Sequence, residues 1–314
     1  MKILVNDAIA EEAIDLLRAK HEVDVMDYGA IELLSHIGRY DAIIVRSKTK
    51  VTGDVIQKGE NLKVIGRAGV GVDNIDVKAA TARKIPVVFS PRGSTVSVAE
   101  LAMGHMISLA RNLVFSDRSM RAGKWEKKKF IGTELQYKVL GLVGAGRIGA
   151  EVAKRAKAFE MRILAFDPYL KGRIAREIGV ELVELPRLLK EADFVSIHAV
   201  LTSKTRGLIG KEQLETMKET AYLVNCARGG IVDEAALADA LKDGLIAGAA
   251  LDVFENEPPM DSPLLRFENI HLTPHLGAST KEAQVRAGKI VAEQVLKVLN
   301  SERPTHILNR EIYN

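Results

Sequence analysis

Val139-Leu140-Gly141-Leu142-Val143-Gly144-Ala145-Gly146-Arg147-Ile148-Gly149 is the stretch whose reading decides the fold. Its first five residues are apolar enough to be a strand buried on both faces. Three glycines follow in GxGxxG spacing, and a helical pattern with Val152, Ala153, Ala156 and Phe159 comes after them. Gly144 permits a tight turn, Gly146 lets a pyrophosphate approach the backbone, and Gly149 lets the helix pack on the strand. The helix start at Arg147 and Ile148 offers free N–H groups and the positive end of a dipole. The glycine spacing alone is a weak signal, and the strand before it with the helix after it gives it weight. A second strand, 163–166, ends in Asp167, 18 residues past Gly149. A carboxylate at this distance hydrogen-bonds the ribose hydroxyls and repels the extra phosphate of NADP, so NAD is the expected cofactor. The competing reading is a glycine turn followed by a chance acid.

Working outward, strands are expected at 139–143, 163–166, 194–197, 221–224, 248–251 and 270–272. Six strands with intervening helices is the count of a doubly wound dinucleotide fold. Upstream, short β-branched runs at 3–5, 23–26, 42–45, 64–66 and 87–89 alternate with helical stretches. One of these, 10–20, carries Ala13, Leu16 and Leu17 at helical spacing. This pattern predicts a smaller parallel α/β unit. A helix over 96–111, with Ala99, Ala102, Met103, Met106 and Leu109 on its apolar side, joins the two series without a loop-rich linker. A last helix, 281–300, carries the chain away from the second series. The expected class is α/β, with two Rossmann-like domains of parallel sheet and the cofactor domain inserted into the other. The expected bounds are 1–95 completed by 285–314 for a substrate-binding domain, and 96–284 for an NAD-binding domain.

At 314 residues, 47% hydrophobic and 27% charged, the chain reads as globular and too long for one core. Lys and Arg number 45 against 41 Asp and Glu, a balance that excludes a nucleic-acid partner. Lys127-Lys128-Lys129 reads as a solvated surface. The single cysteine, Cys226, rules out an internal disulfide framework and fits a reducing compartment. No apolar run approaches the roughly 18 residues of a membrane span, and 1–5 reads as a strand rather than a signal peptide. A cytoplasmic protein with no metal and no membrane partner is expected.

Three segments fall at or just after strand C-termini, where open α/β sheets bind ligands. They are Val224-Asn225-Cys226-Ala227-Arg228-Gly229-Gly230, Leu251-Asp252-Val253-Phe254-Glu255-Asn256-Glu257-Pro258 and Leu272-Thr273-Pro274-His275-Leu276-Gly277. Oxidising a small 2-hydroxy acid needs a base for the hydroxyl proton, which suits His275. It also needs a cation to hold a carboxylate and polarise the emerging carbonyl, which suits Arg228. Glu257, paired with the histidine, would hold its tautomer and favour its protonated form. Taken singly, each has a plain reading: a satisfied loop histidine, a surface arginine, a loop acid.

The chain resembles the D-isomer-specific 2-hydroxyacid dehydrogenase family along nearly its whole length, from Val45-Arg46-Ser47 to His275-Leu276-Gly277-Ala278. Gly66-Arg67-Ala68-Gly69-Val70-Gly71-Val72-Asp73-Asn74, Gly123-Lys124-Trp125-Glu126 and 273–280 are most similar to its phosphoglycerate dehydrogenase branch. The resemblance implies a catalytic set of Arg228, Glu257 and His275. It implies cofactor contacts at Arg147, Ile148, Asp167, Ala199, Cys226, Ala227 and Asp252, with Gly277 and Ala278 near the nicotinamide and Asp252 on its carboxamide. The glycines 144, 146 and 149 belong to the same set, as do Val70, Arg228 and His275. Val70 and Gly71 would receive the substrate carboxylate through their backbone. Arg46, Ser47 and Arg67, with Arg228, complete the implied substrate site. The chain departs from the family at Val200, where a proline usually follows two residues after the His198 position. It also ends at Asn314, ahead of the regulatory domains that many phosphoglycerate dehydrogenases carry. The resemblance further implies a homodimer joined through the cofactor domains.

Cys226 invites a nucleophile reading, but hydride transfer needs none, so a backbone contact to the cofactor is favoured. His198 reads as a packed loop residue. Arg46 and Arg67 follow apolar strands and are either surface arginines or readers of a substrate phosphate. The leading expectation is NAD-dependent oxidation of D-3-phosphoglycerate to 3-phosphohydroxypyruvate, the first step of serine biosynthesis. The alternatives are a glyoxylate or hydroxypyruvate reductase with an unphosphorylated substrate and, from another class, an NAD-sensing interaction protein.

Overall fold

The computed structural model describes residues 1–314, and every strand in it pairs in parallel. The chain divides into two compact units, Met1–Ser94 with Ala278–Asn314, and Thr95–Gly277. The chain re-enters the first unit at Ala278, ahead of the expected 285. Thr280 caps the following helix by accepting from the Ala283 N–H, and that whole helix packs within the first unit.

In the first unit the chain runs β1 (Lys2–Val5), α1 (Glu11–Arg18), β2 (Glu22–Val25), α2 (Ala30–His36), β3 (Ala42–Val45), α3 (Gly53–Lys58), β4 (Val64–Arg67), α4 (Val77–Ala82) and β5 (Val87–Phe89). The sheet order is β2-β1-β3-β4-β5. Ile3, Val5, Ile44, Val64 and Val88 face one cluster while Leu4, Ile43, Val45, Ile65 and Val87 face the other. That alternation explains the unbroken apolar runs: a parallel sheet covered on both faces has no polar side.

The second unit begins with α5 (Thr95–Ala110) and α6 (Leu113–Arg121). Asn112 sits between them with φ of 52°, which breaks the long helix into two. There follow β6 (Val139–Val143), α7 (Arg147–Ala158), β7 (Arg162–Phe166), α8 (Gly172–Ile178), β8 (Glu181–Leu182), α9 (Leu185–Glu191) and β9 (Phe194–Ile197). Then come α10 (Lys211–Thr216), β10 (Tyr222–Asn225), α11 (Glu234–Asp243), β11 (Gly248–Leu251) and β12 (Ile270–Leu272). The sheet has seven strands in the order β12-β11-β10-β9-β6-β7-β8, which corrects the expected six. The unforeseen strand, β8, occupies the third position of the common dinucleotide-fold order, and β12 adds a seventh at the far edge. β8 has only two residues, both exposed, so no apolar run announces it. β10 lies one residue later than 221–224, which puts Asn225 inside the strand.

The chain closes with α12 (Lys281–Leu299) in the first unit. Its buried Ala283, Ala287, Val291, Val295 and Leu299 recur at helical spacing. Gly66 leaves room for Val291 and Val295, and Gly288 leaves room for Ala13 of α1, whose Cβ would lie 2.9 Å from an added one. Gly288→Leu should therefore wedge α1 from α12. The expected loss is about 1–3 kcal/mol, the usual cost of overpacking, read as a lower urea midpoint with the m-value unchanged.

Candidate active site

The glycine loop is built by two close approaches. Gly144 has φ of 90°, and an added Cβ would meet the Ala199 nitrogen at 2.8 Å. Gly149 lies in the first turn of α7, where an added Cβ would meet the Gly144 oxygen at 2.5 Å. Around Gly146, by contrast, an added Cβ would meet nothing within 4 Å. That open cradle faces the start of α7, whose N-cap residue Gly146 gives no side-chain cap and whose first turn holds no acid. The first N–H groups of a helix have no internal partner, so this end suits a phosphate. The fold therefore fits a dinucleotide here on the space and charge of its own residues.

Asp167 follows β7 directly. Its Oδ2 accepts from the Ala145 N–H at 2.9 Å and its Oδ1 from the Tyr169 N–H at 3.0 Å. Ala199 follows β9 and carries the loop that holds Val200. The Val200 side chain is exposed and its carbonyl accepts from the Thr205 hydroxyl at 2.6 Å, so an ordinary side-chain turn replaces the missing proline. His198 bonds Ser196 Oγ through Nε2 at 2.9 Å, and burial pushes its ring down to about 4. It is a packed neutral histidine.

Three loops, one after each of β10, β11 and β12, carry Arg228, Glu257 and His275. After β10, Asn225 Oδ1 accepts from the Ala227 N–H and its Nδ2 donates to the Arg228 carbonyl, both at 3.0 Å. This side chain presents half-buried Arg228 at the strand end. Gly229 then passes so near the next loop that an added Cβ would lie 1.9 Å from the Phe254 oxygen. Cys226 is buried, and burial together with the nearby Asp252 charge pushes its thiol up. It is therefore no thiolate.

After β11, Asp252 is 1% exposed. Its Oδ1 accepts from the Thr273 hydroxyl and the Leu276 N–H, each at 2.6 Å, and its Oδ2 from the Gly277 N–H at 2.8 Å. Further along this loop, Glu257 Oε1 accepts from the Phe254 N–H at 3.1 Å. After β12, His275 takes φ of 52° and sets Nδ1 2.8 Å from Glu257 Oε2. Burial pushes the Glu257 carboxyl up, but His275, the Phe254 N–H and Arg228 outweigh it and hold the group below its ordinary range. Arg228 thus acts on Glu257 through its charge.

Of the expected site residues, Arg46, Ser47, Arg67, Val70 and Gly71 lie in the first unit, and so does Ala278, which the sequence reading had placed in the cofactor domain. Within it, Asn74 Nδ2 donates to the Arg46 and Thr49 carbonyls at 2.8 and 2.6 Å, fixing the loop after β3. Arg46, Ala68, Gly69, Ser94 and Ala278 line one small cavity. Arg67 folds back over Gly69, where an added Cβ would lie 1.2 Å from its Nη1, so this pose requires a glycine. Ser47 is exposed, while Val70 and Gly71 are half-buried. The sequence reading assigned no role to Asn225, Gly229 or Thr273. Asn225 and Gly229 carried a signal, being an Asx-turn residue and a glycine beside the chosen arginine.

Residues 103–277 match the family profile described as D-isomer specific 2-hydroxyacid dehydrogenase, NAD binding domain. D-3-phosphoglycerate dehydrogenase of Methanocaldococcus jannaschii is 54% identical over 98% of this chain, which spans 59% of that protein. Hydroxypyruvate reductase of Thermotoga maritima is 47% identical over 95% of this chain and 98% of its own. Among solved structures, a Thermus thermophilus protein aligns with a TM-score of 0.91 at 36% identity, covering 98% of this chain and 100% of that one. The chain thus spans a little over half the length of several phosphoglycerate dehydrogenases that it matches. It belongs to the D-isomer specific 2-hydroxyacid dehydrogenase family, with the NAD-binding domain of that family in its second unit.

Proposed function

We propose that the protein oxidises D-3-phosphoglycerate at C2 to 3-phosphohydroxypyruvate with NAD. The observation that carries this reading is the 2.8 Å contact between His275 Nδ1 and Glu257 Oε2. An ionised Glu257 only accepts, so Nδ1 carries the proton and Nε2 keeps its lone pair for a substrate hydroxyl. His275 Nε2 would take the proton of the substrate C2 hydroxyl as the C2 hydride leaves for the coenzyme. Bound NAD would supply the hydride acceptor. Arg228 would hold the substrate carboxylate and the developing carbonyl. The phosphates of NAD would sit over Gly146, Arg147 and Ile148, with the ribose on Asp167 and the carboxamide on Asp252. Ala199, Cys226, Ala227 and Gly277 would line the coenzyme through their backbone, with Val70 and Ala278 as further contacts. In the first unit, Arg46 and Arg67 would read the substrate phosphate, with Ser47 and Gly71 beside the carboxylate. The names of the curated relatives favour this substrate, and the Thermotoga relative favours hydroxypyruvate as the second reading.

Association into a homodimer is part of the same reading. Leu113, Met120, Trp125, Ile131 and Tyr137 are all at least half exposed within one segment of the second unit. Large apolar side chains left open to water within one segment would suit a second copy. No helix is long and apolar enough to cross a membrane. A cytoplasmic location is part of the same proposal, and the one free buried cysteine is in keeping with a reducing compartment.

His275→Ala should lower kcat by about 10²–10⁴-fold, the usual worth of a positioned base, with NADH affinity kept. Glu257→Gln should fall within the same range, because an amide can donate to Nδ1 and force the proton onto Nε2. Full activity in either variant would remove that residue from the pair. For the coenzyme, kcat/KM should strongly favour NAD over NADP, and Asp167→Ala should narrow the gap. Equal values in the unmodified protein would show that Asp167 does not meet the ribose. For the substrate, Arg67→Ala should cost about 10–150-fold in kcat/KM for 3-phosphoglycerate, the worth of one charged hydrogen bond. D-Glycerate should lose far less. Equal losses would make Arg67 a support of the 68–71 loop, and a native preference for hydroxypyruvate would overturn the phosphoglycerate reading.

A further inference from the structure

We infer that His105 is a positioning residue for the coenzyme site, acting through the Thr273 hydroxyl on Asp252. His105 lies on α5 among Ala102, Met103, Met106 and Leu109, and is 6% exposed. A polar ring in such a setting costs free energy unless it is bonded, and its Nε2 lies 3.3 Å from Thr273 Oγ1.

The proton count fixes the direction of this chain. Thr273 has one hydroxyl proton and donates it to Asp252 Oδ1 at 2.6 Å. Toward His105 the same oxygen can only accept, so the proton of the neutral ring sits on Nε2. Burial lowers the pKa of His105, against the opposing pull of Asp252, and so favours the neutral ring. With the His105 N–H held against Oγ1, the threonine rotor is biased to one position and its proton stays on the carboxylate.

Asp252 is the element being aimed. An ionised carboxylate offers about four lone-pair sites. Thr273 and Leu276 use those of Oδ1 and Gly277 uses one of Oδ2, which leaves one on Oδ2 for an amide donor. The same helix face backs the loop a second time: an added Cβ on Gly277 would meet Val98 Cγ2 at 3.1 Å and Asp252 Oδ2 at 3.2 Å. Val98 and His105 are two helical turns apart, so one face of α5 supports both ends of 273–277.

This inference rests on the proposal that Asp252 meets the carboxamide of NAD. The experiment is titration of NADH into the whole protein by calorimetry, for wild type, His105→Leu, His105→Gln, Thr273→Val and the double His105→Leu/Thr273→Val. Removing one neutral hydrogen bond should weaken NADH about 3–10-fold in His105→Leu. Gln can place an N–H near the same point and should restore most of the affinity. The double variant should bind no worse than Thr273→Val alone, because both changes cut one chain. Unchanged affinity in His105→Leu overturns the inference. So do additive losses in the double variant, or a Gln variant as weak as Leu, since packing alone would give those. Wild type that fails to bind NADH sinks the coenzyme reading and this inference together. Wild type that binds while His105→Leu binds equally sinks the inference alone.

Discussion

The Asp252 carboxylate, 1% exposed, ties the loop after β11 to the loop after β12 through the Thr273 hydroxyl and the N–H groups of Leu276 and Gly277. An unpaired buried carboxylate would cost several kcal/mol, and three charge-assisted bonds offset that cost. The same three bonds fix the path of residues 273–277. That path places His275 at φ of 52°, a left-handed conformation that costs a residue with a Cβ about 1–3 kcal/mol. The strain is held by the anchored residues on either side, and it turns the ring onto Glu257. The third loop joins through Gly229, whose missing side chain lets the Arg228 segment lie against Phe254. Arg228, Glu257 and His275 share a site because three strand-end loops are bound to one another below them.

The sheet order supplies the other half of the site. Strand order reverses between β6 and β9, so the chains leaving these neighbours turn to opposite sides and open a crevice at their C-terminal ends. Gly144 and Ala199 are the first residues to part there, and the 2.8 Å to an added Cβ shows how narrow the parting is. The start of α7 and Asp167 stand on one side of this switch point. The loops after β10, β11 and β12 follow on the other, in the order in which their strands pair. One parallel sheet thus sets the uncapped start of α7 and the Glu257–His275 pair along a single edge.

Much of this was legible because parallel strands buried on both faces write themselves as unbroken apolar runs. The segments 139–143, 194–197 and 248–251 coincide with β6, β9 and β11. The glycine loop was legible for a different reason, since no other residue fits where Gly144 and Gly149 sit. β8 escaped because its Glu181 and Leu182 are both exposed, and an edge strand this short has no periodicity to read. Asn225 escaped by one residue of register. His105 and Thr273 escaped because their meaning is a contact over 168 positions, and a histidine within an apolar helix face looks like an imperfection in the stripe. The pairing of His275 with Glu257 was chemically readable, but the loop anchors that create it were not.

The distribution of charge within the second unit is consistent with the proposed reaction. Asp252 is sealed from water, and all three of its bonds come from donors on the loop after β12. Glu257 and His275 keep side-chain exposures of 39% and 45%, so their mutual attraction is screened and worth little to stability. That weakness suits the proposed role, in which His275 would gain a proton and lose it again in each turnover. A sealed pair would have to bear the full cost of charging the ring in low dielectric, several kcal/mol by the same reasoning that governs buried ion pairs. A pair open to water bears only a fraction of it. The fold therefore buries the carboxylate that ties its loops together and leaves open to water the one that is paired with His275.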